Sequence, residues 1–186
     1  MDGLVFPPLP IYACGMKISE TIHHKPCWSL VLAAAAVSVA MLGVALVGQY
    51  GFGLHPCELC LAQRYPYALI ALIGFAGVKW GRSERVLGRI ALVCGLLFLA
   101  DAGIAAYHAG VELGIFTGPS GCTNHNTGEQ TLEEMRAAIM NAALVPCDQP
   151  MAHILGLSMA GWNAVAATFF AVGMFAAPRL VRRYAR

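Results

Sequence analysis

The sequence predicts an all-α membrane protein, a four-transmembrane-helix bundle with both termini on the cytoplasmic side. Three observations carry this expectation. The chain is 58% hydrophobic and only 12% charged, outside the usual range of soluble domains. It contains four apolar stretches, Trp28 to Val47, Leu61 to Val78, Leu87 to Tyr107 and Ile154 to Ala177. Each is near the roughly 20 residues that cross a hydrocarbon core about 30 Å thick. The basic residues supply the orientation: ten of the twelve Lys and Arg lie before the first stretch, around the turn between the second and third, or after the fourth. By the positive-inside rule those three regions are cytoplasmic, and the segments Gly48–Pro56 and His108–His153 face outward. The net charge of +2 is uninformative about partners, and no nucleic acid is expected.

Residues 1–27 precede the first span as a Pro-rich, then polar, cytoplasmic segment expected to be poorly ordered. Met16-Lys17 is an alternative start that would leave Cys14 untranslated. No cleavable signal peptide is expected, since the first apolar run is full length and begins only after residue 27. The membrane domain then runs from 28 to 178, and a basic tail follows over 179–186. No internal repeat, low-complexity tract or linker interrupts it.

At the head of the second span stands Cys57-Glu-Leu-Cys60, led by Pro56, with Arg64 four residues beyond the second cysteine. A bond across two intervening residues closes little chain entropy, so it restrains little. It serves better as a reversible electron carrier. The helix that follows directs its positive N-terminal dipole at the pair, which favours thiolate and exchange. If Leu61 onward is helical, Cys60 and Arg64 share a face. The guanidinium can then stabilise a thiolate or an anionic oxygen beside it. The alternative is an arginine that only snorkels to the interface.

The third span carries Cys94, a small buried hydrophobe, and a polar stripe of Asp101, His108 and Glu112 spaced by seven and four. His108 and Glu112 sit at the level of the Cys57–Cys60 pair. Asp101 lies deeper and pairs within the bundle, with Asn163 or Trp162 of the fourth span. Abundant Gly and Ala suit close helix packing.

Topology sorts the seven cysteines. Cys14 and Cys27 fall on the cytoplasmic side, where thiols stay reduced. Cys57, Cys60, Cys122 and Cys147 fall on the outer, oxidising side. An even number there implies two disulfides, and pairing within each loop is the economical choice, although spacing does not fix connectivity. A Cys122–Cys147 staple would stabilise by about 3 kcal/mol through loop closure. Shared zinc is the other reading, with Cys57 and Cys60 supplying two ligands, Cys122 and Cys147 completing a set, and His55, His108, His125 or His153 in reserve. Between the outer cysteines, Thr131-Leu-Glu-Glu134 reads as a capping box. It opens a short amphipathic helix through Val145 that lies on the membrane surface or packs against the bundle.

Four local strings, in this order and topology, resemble the disulfide bond formation protein B (DsbB) family. They are Pro56-Cys-Glu-Leu-Cys-Leu-Ala-Gln-Arg-Tyr-Pro-Tyr67, Tyr107-His-Ala-Gly-Val-Glu112, Val145-Pro-Cys-Asp148 and Leu155-Gly-Leu-Ser-Met-Ala-Gly-Trp162. The resemblance covers about residues 28 to 178. It implies a multi-pass protein of the bacterial inner membrane that reoxidises a periplasmic thioredoxin-fold, DsbA-like dithiol and passes the electrons to ubiquinone or menaquinone. Carried over by position, it implies that Cys122 is attacked by the donor, that the released Cys147 attacks Cys57, and that Cys60 faces the quinone. Arg64, His108 and Glu112 become the quinone-binding residues. One departure stands out: Glu112 occupies a place where the best-known members carry glutamine. An acid there offers quinone protonation in place of an amide contact. Two other functions share the layout, a redox-inactive scaffold braced by its disulfides and an oxidase dedicated to one partner.

Overall fold

The computed structural model describes residues 26–81, 83–119, 132, 136, 145–150 and 152–184. Cys122 lies outside them, as does the helix expected from Thr131 to Val145, apart from helical Leu132 and Arg136 and a bend at Val145. Four helices are long and apolar enough to cross a membrane, in Cys27–Gly51, Glu58–Trp80, Glu84–Glu112 and Met159–Ala177, as the four-span bundle requires.

Helix α1 spans Pro26–Leu46, and 21 residues at about 1.5 Å each cover roughly 30 Å. It widens into a π-helical turn at Val47–Gly51, closed by Phe52 and Leu54 N–H groups donating to Gly48 O. Such turns re-aim side chains, here that of Gln49. Helix α2 (Glu58–Ala62) and helix α3 (Arg64–Trp80) together form the second span. Pro66 explains the interruption at Gln63. It has no N–H to give the Ala62 carbonyl four residues back, and its ring crowds that carbonyl.

Ser83 caps helix α4 (Glu84–Glu112) by accepting from Val86 N at 3.3 Å, satisfying one orphan donor of the first turn. The Glu84 carboxylate accepts from Cys27 N at 3.2 Å. Helix α4 ends five residues beyond the apolar stretch, so His108 and Glu112 are helical. Gly114, at φ 70°, terminates it, and Ile115 N returns to Gly110 O at 2.8 Å, a left-handed glycine stop.

The fourth span departs from expectation at its start. Residues 154–158 are not helical. They belong to a hairpin of strands β1 (His153–Ile154) and β2 (Leu157–Ser158), with His153 opposite Ser158 and Ile154 opposite Leu157. Its two-residue turn places Leu155 at φ 52° and Gly156 at φ 83°, the pair of positive φ values that a tight hairpin needs. Ser158 then caps helix α5 (Met159–Tyr184), accepting from Gly161 N at 3.1 Å. Trp162 Nε1 donates to Ile154 O at 2.8 Å and ties the hairpin to the helix.

The chain divides into two compact units. The first contains Met1–Met41, Pro66–Leu99 and Thr168–Arg186. Its interior is Val31, Ala35, Ile70, Leu87, Cys94 and Phe98, all essentially inaccessible. Tyr67 meets Phe98 edge-on at 6.0 Å, and Phe170 lies 5.6 Å from Phe98. Cys94 is a buried free thiol. Cys27, read from its compartment as reduced, is instead disulfide-bonded. Compartment governs accessible thiols, and Cys27 is fully buried. Leu69, Leu72, Phe75, Leu96, Phe169 and Val172 are exposed, which is the pattern of a lipid-facing surface, since a helix satisfies its own backbone there.

Gly74 marks a close helix approach in this unit. A Cβ there would lie 2.8 Å from Ala35 Cβ and 3.3 Å from Val31 O. Gly74→Ala is therefore expected to destabilise by about 1–3 kcal/mol through overpacking. Gly103, with nothing within 4 Å of its added Cβ, should accept alanine without loss. Thermal unfolding in detergent compares the two. Equal melting temperatures would contradict the packing argument.

Candidate functional site

The second unit, Leu42–Tyr65 with Ala100–Ala167, holds every sequence-predicted site residue that is described. Its apolar centre is Cys57, Leu59, Val111 and Cys147, with Cys60, Tyr107 and Val145 packed against it. Cysteine sulfurs thus occupy the core itself.

Cys57 is the N-cap of α2, with extended backbone, and its sulfur accepts from Cys60 N at 3.3 Å. The two sulfurs are 3.0 Å apart as free thiols. His108 Nε2 lies 3.5 Å from the Cys57 sulfur. Cys147 is 1% exposed and disulfide-bonded. Its sulfur, the Cys57 sulfur and a ring nitrogen of His108 all lie within 4.8 Å of one another. The structure therefore brings the two outer cysteine segments together. A sulfur committed to a disulfide is not a thiolate ligand, so the zinc reading loses one donor in this state.

Cys57 is the acidic member of its pair. Its pKa is pulled down to about 4, first by the hydrogen bond from the Cys60 thiol. Burial opposes this, and the His108 ring and the Cys60 N–H add to it. The sign follows from linkage. A depressed pKa stabilises the folded, reduced protein fully above the ordinary thiol value of about 8.5. That contribution is lost as pH falls through about 4. The ultraviolet thiolate band of the reduced protein, with Cys57→Ser as blank, should persist down to mildly acidic pH. A midpoint near the ordinary thiol value would contradict the geometry.

Behind His108 runs a line of buried amides. Gln63 Nε2 is 2.9 Å from His108 Nδ1. Asn163 Nδ2 donates to Gln63 Oε1 at 2.8 Å and to Asp101 Oδ2 at 3.1 Å. Asp101 thus meets Asn163, one of its two expected partners, while Trp162 turns to the hairpin. Glu112 Oε1 is 3.7 Å from His108 Nε2, and its Oε2 is buried with no hydrogen-bond partner among the described residues. Arg64, the half-buried first residue of α3, donates from Nη1 to Gln49 Oε1 at 2.6 Å.

Two of these residues escaped the sequence reading. Gln63 is three residues after Cys60, on the same helical side, and a polar side chain inside an apolar span is itself a signal of use. Gln49 reads as interfacial, and only the π turn at the end of α1 brings it to Arg64.

Comparison with known proteins agrees with the geometry. The family model described as Disulfide bond formation protein DsbB matches residues 28–177. A disulfide bond formation protein B of Herminiimonas arsenicoxydans is 34% identical over 158 residues, covering 78% of this chain and 90% of its own length. One from Aromatoleum aromaticum is 32% identical over 148 residues, covering 77% and 87%. Disulfide bond formation protein B 1 of Pseudomonas fluorescens is 32% identical over 140 residues, covering 70% and 76%. No solved structure matches the chain. With four helices long and apolar enough to cross a membrane, and with paired cysteines, this multi-pass, disulfide-forming oxidoreductase belongs to the disulfide bond formation protein DsbB family.

Proposed function

We propose that the protein reoxidises a periplasmic, thioredoxin-fold DsbA-like dithiol and delivers the electrons to a membrane quinone, ubiquinone or menaquinone, in the bacterial inner membrane. The termini are then cytoplasmic, residues 28–178 form the membrane domain, and the redox-active loops are periplasmic. The observation that carries the reading is the approach of the Cys147 sulfur to within 4.8 Å of the Cys57 sulfur, which lets a thiolate released at Cys147 attack a Cys57–Cys60 bond without a large movement.

The relay balances in thiol–disulfide steps. A donor thiolate attacks Cys122 in a Cys122–Cys147 bond, and Cys147 leaves as thiolate. Cys147 attacks Cys57 in a Cys57–Cys60 bond, and Cys60 leaves. The second donor thiolate then closes the donor disulfide and releases Cys122. Cys122 attacks Cys147, which restores the Cys122–Cys147 bond and frees Cys57. The net result is one donor disulfide and one Cys57/Cys60 dithiol. A bound quinone supplies the remaining chemistry by accepting two electrons and two protons. Residues suited to hold it are at hand: Arg64, steadied by Gln49, for an oxygen that gains negative charge; His108 beside the sulfurs; and the buried Glu112 Oε2 for a hydroxyl.

Purified protein mixed with a reduced DsbA-like donor and a soluble quinone tests the reading. Quinone reduction stoichiometric with donor oxidation is expected. Donor oxidation that proceeds equally without quinone would overturn it.

A further inference from the structure

The amides behind His108 are not interchangeable, because each can hydrogen-bond in only one sense once its neighbour is fixed. Asp101 is fully buried; as the ionised carboxylate it only accepts, and its Oδ2 takes a hydrogen bond from Asn163 Nδ2 at 3.1 Å. Asn163 must therefore present its NH2 group to Asp101, and that same nitrogen faces Gln63. Gln63 must answer with its oxygen. Its NH2 then points at His108 Nδ1, 2.9 Å away. A ring nitrogen that accepts carries no proton, so the proton of a neutral imidazole sits on Nε2, the nitrogen 3.5 Å from the Cys57 sulfur. Gln63 and His108 are 7% and 2% exposed, so water offers little alternative to this order.

We propose that Asp101, Asn163 and Gln63 form a one-way hydrogen-bond chain that fixes His108 as its Nε2–H tautomer and aims that proton at the Cys57 sulfur. The three are positioning residues, acting through His108. The consequence for exchange rests on the relay proposed above: Cys57 must leave as thiolate when Cys122 breaks the Cys57–Cys147 bond, and a stabilised thiolate leaves faster. Among the described residues, the other titratable groups facing the Cys57 and His108 pair are Cys60 on α2 and Glu112 on α4. The disulfide-bonded Cys147 does not titrate.

Nitrogen NMR of His108 in the reduced, full-length protein in detergent reads the tautomer directly, with no donor or quinone present. An unprotonated Nδ1 and a protonated Nε2 are expected. A protonated Nδ1, or a mixture of tautomers, would overturn the proposal without touching the relay. Two near-isosteric variants probe the chain. Asp101→Asn removes the acceptor-only end and should mix the tautomers and raise the Cys57 thiolate midpoint by about one pKa unit, a tenfold change in its acid dissociation constant. Gln63→Glu offers His108 only an acceptor and should move a proton onto Nδ1. Unchanged imidazole shifts in both variants would overturn the proposal. If the tautomer behaves as expected while the donor and quinone do not react, the relay fails and the chain stands.

Discussion

Replacing Cys57 with serine is expected to reduce donor oxidation and quinone reduction to background, a loss of about a thousandfold or more, as for other deleted nucleophiles. Cys57 has two sulfur neighbours, Cys60 at 3.0 Å and Cys147 within 4.8 Å. The proposed relay bonds it to each in turn. Serine forms neither bond, so the relay is broken at both steps. Cys94→Ala is the matched control. Cys94 is also buried and free, but it lies in the apolar interior of the other unit, and its loss should cost stability without touching turnover. Equal activity in Cys57→Ser and wild type would remove the redox reading of the pair.

Arg64→Ala is expected to raise the quinone KM by about 10- to 100-fold, from roughly 1.5–3 kcal/mol for a hydrogen bond to a charged group. A single turnover of donor oxidation by the pre-oxidised protein should be unchanged, since Arg64 hydrogen-bonds to Gln49 and has no part in the proposed thiol–disulfide steps. Gln49→Ala should give a smaller rise, about tenfold or less. It leaves the guanidinium in place but removes the 2.6 Å contact that aims it. Equal loss of donor and quinone reactions in Arg64→Ala would assign the arginine to folding.

Apolar run length and basic flanks made the spans legible in the sequence, and cysteine spacing singled out Cys57 and Cys60. Those are local signals. What the sequence withheld depends on distance between segments. Spacing brings Asp101, His108 and Glu112 to one stripe of α4, yet it says nothing of Gln63 facing His108 across 45 positions. Local chemistry also overrode hydropathy. Ile154 to Ser158 is apolar enough to extend the fourth span, but positive φ at Leu155 and Gly156 with the Ser158 cap makes a hairpin and delays the helix to Met159. Pro66 similarly acts at a distance of four residues, on Ala62, where a hydropathy count sees only a tolerated proline. Arg64 was expected to serve Cys60 across one helical turn. Its hydrogen bond to Gln49 adds a second segment to its environment.

Exchange between the two cysteine segments is the central claim, and disulfide mapping in Cys60→Ser tests it most directly. In that variant Cys57 has no partner within its own motif. Its thiolate is expected to attack Cys147, forming a Cys57–Cys147 bond and releasing Cys122 for alkylation. Mass spectrometry of the alkylated, digested protein should find the Cys57–Cys147 crosslinked peptide together with modified Cys122. Recovery of modified Cys57, with no crosslink from Cys57 to Cys147, would contradict the relay.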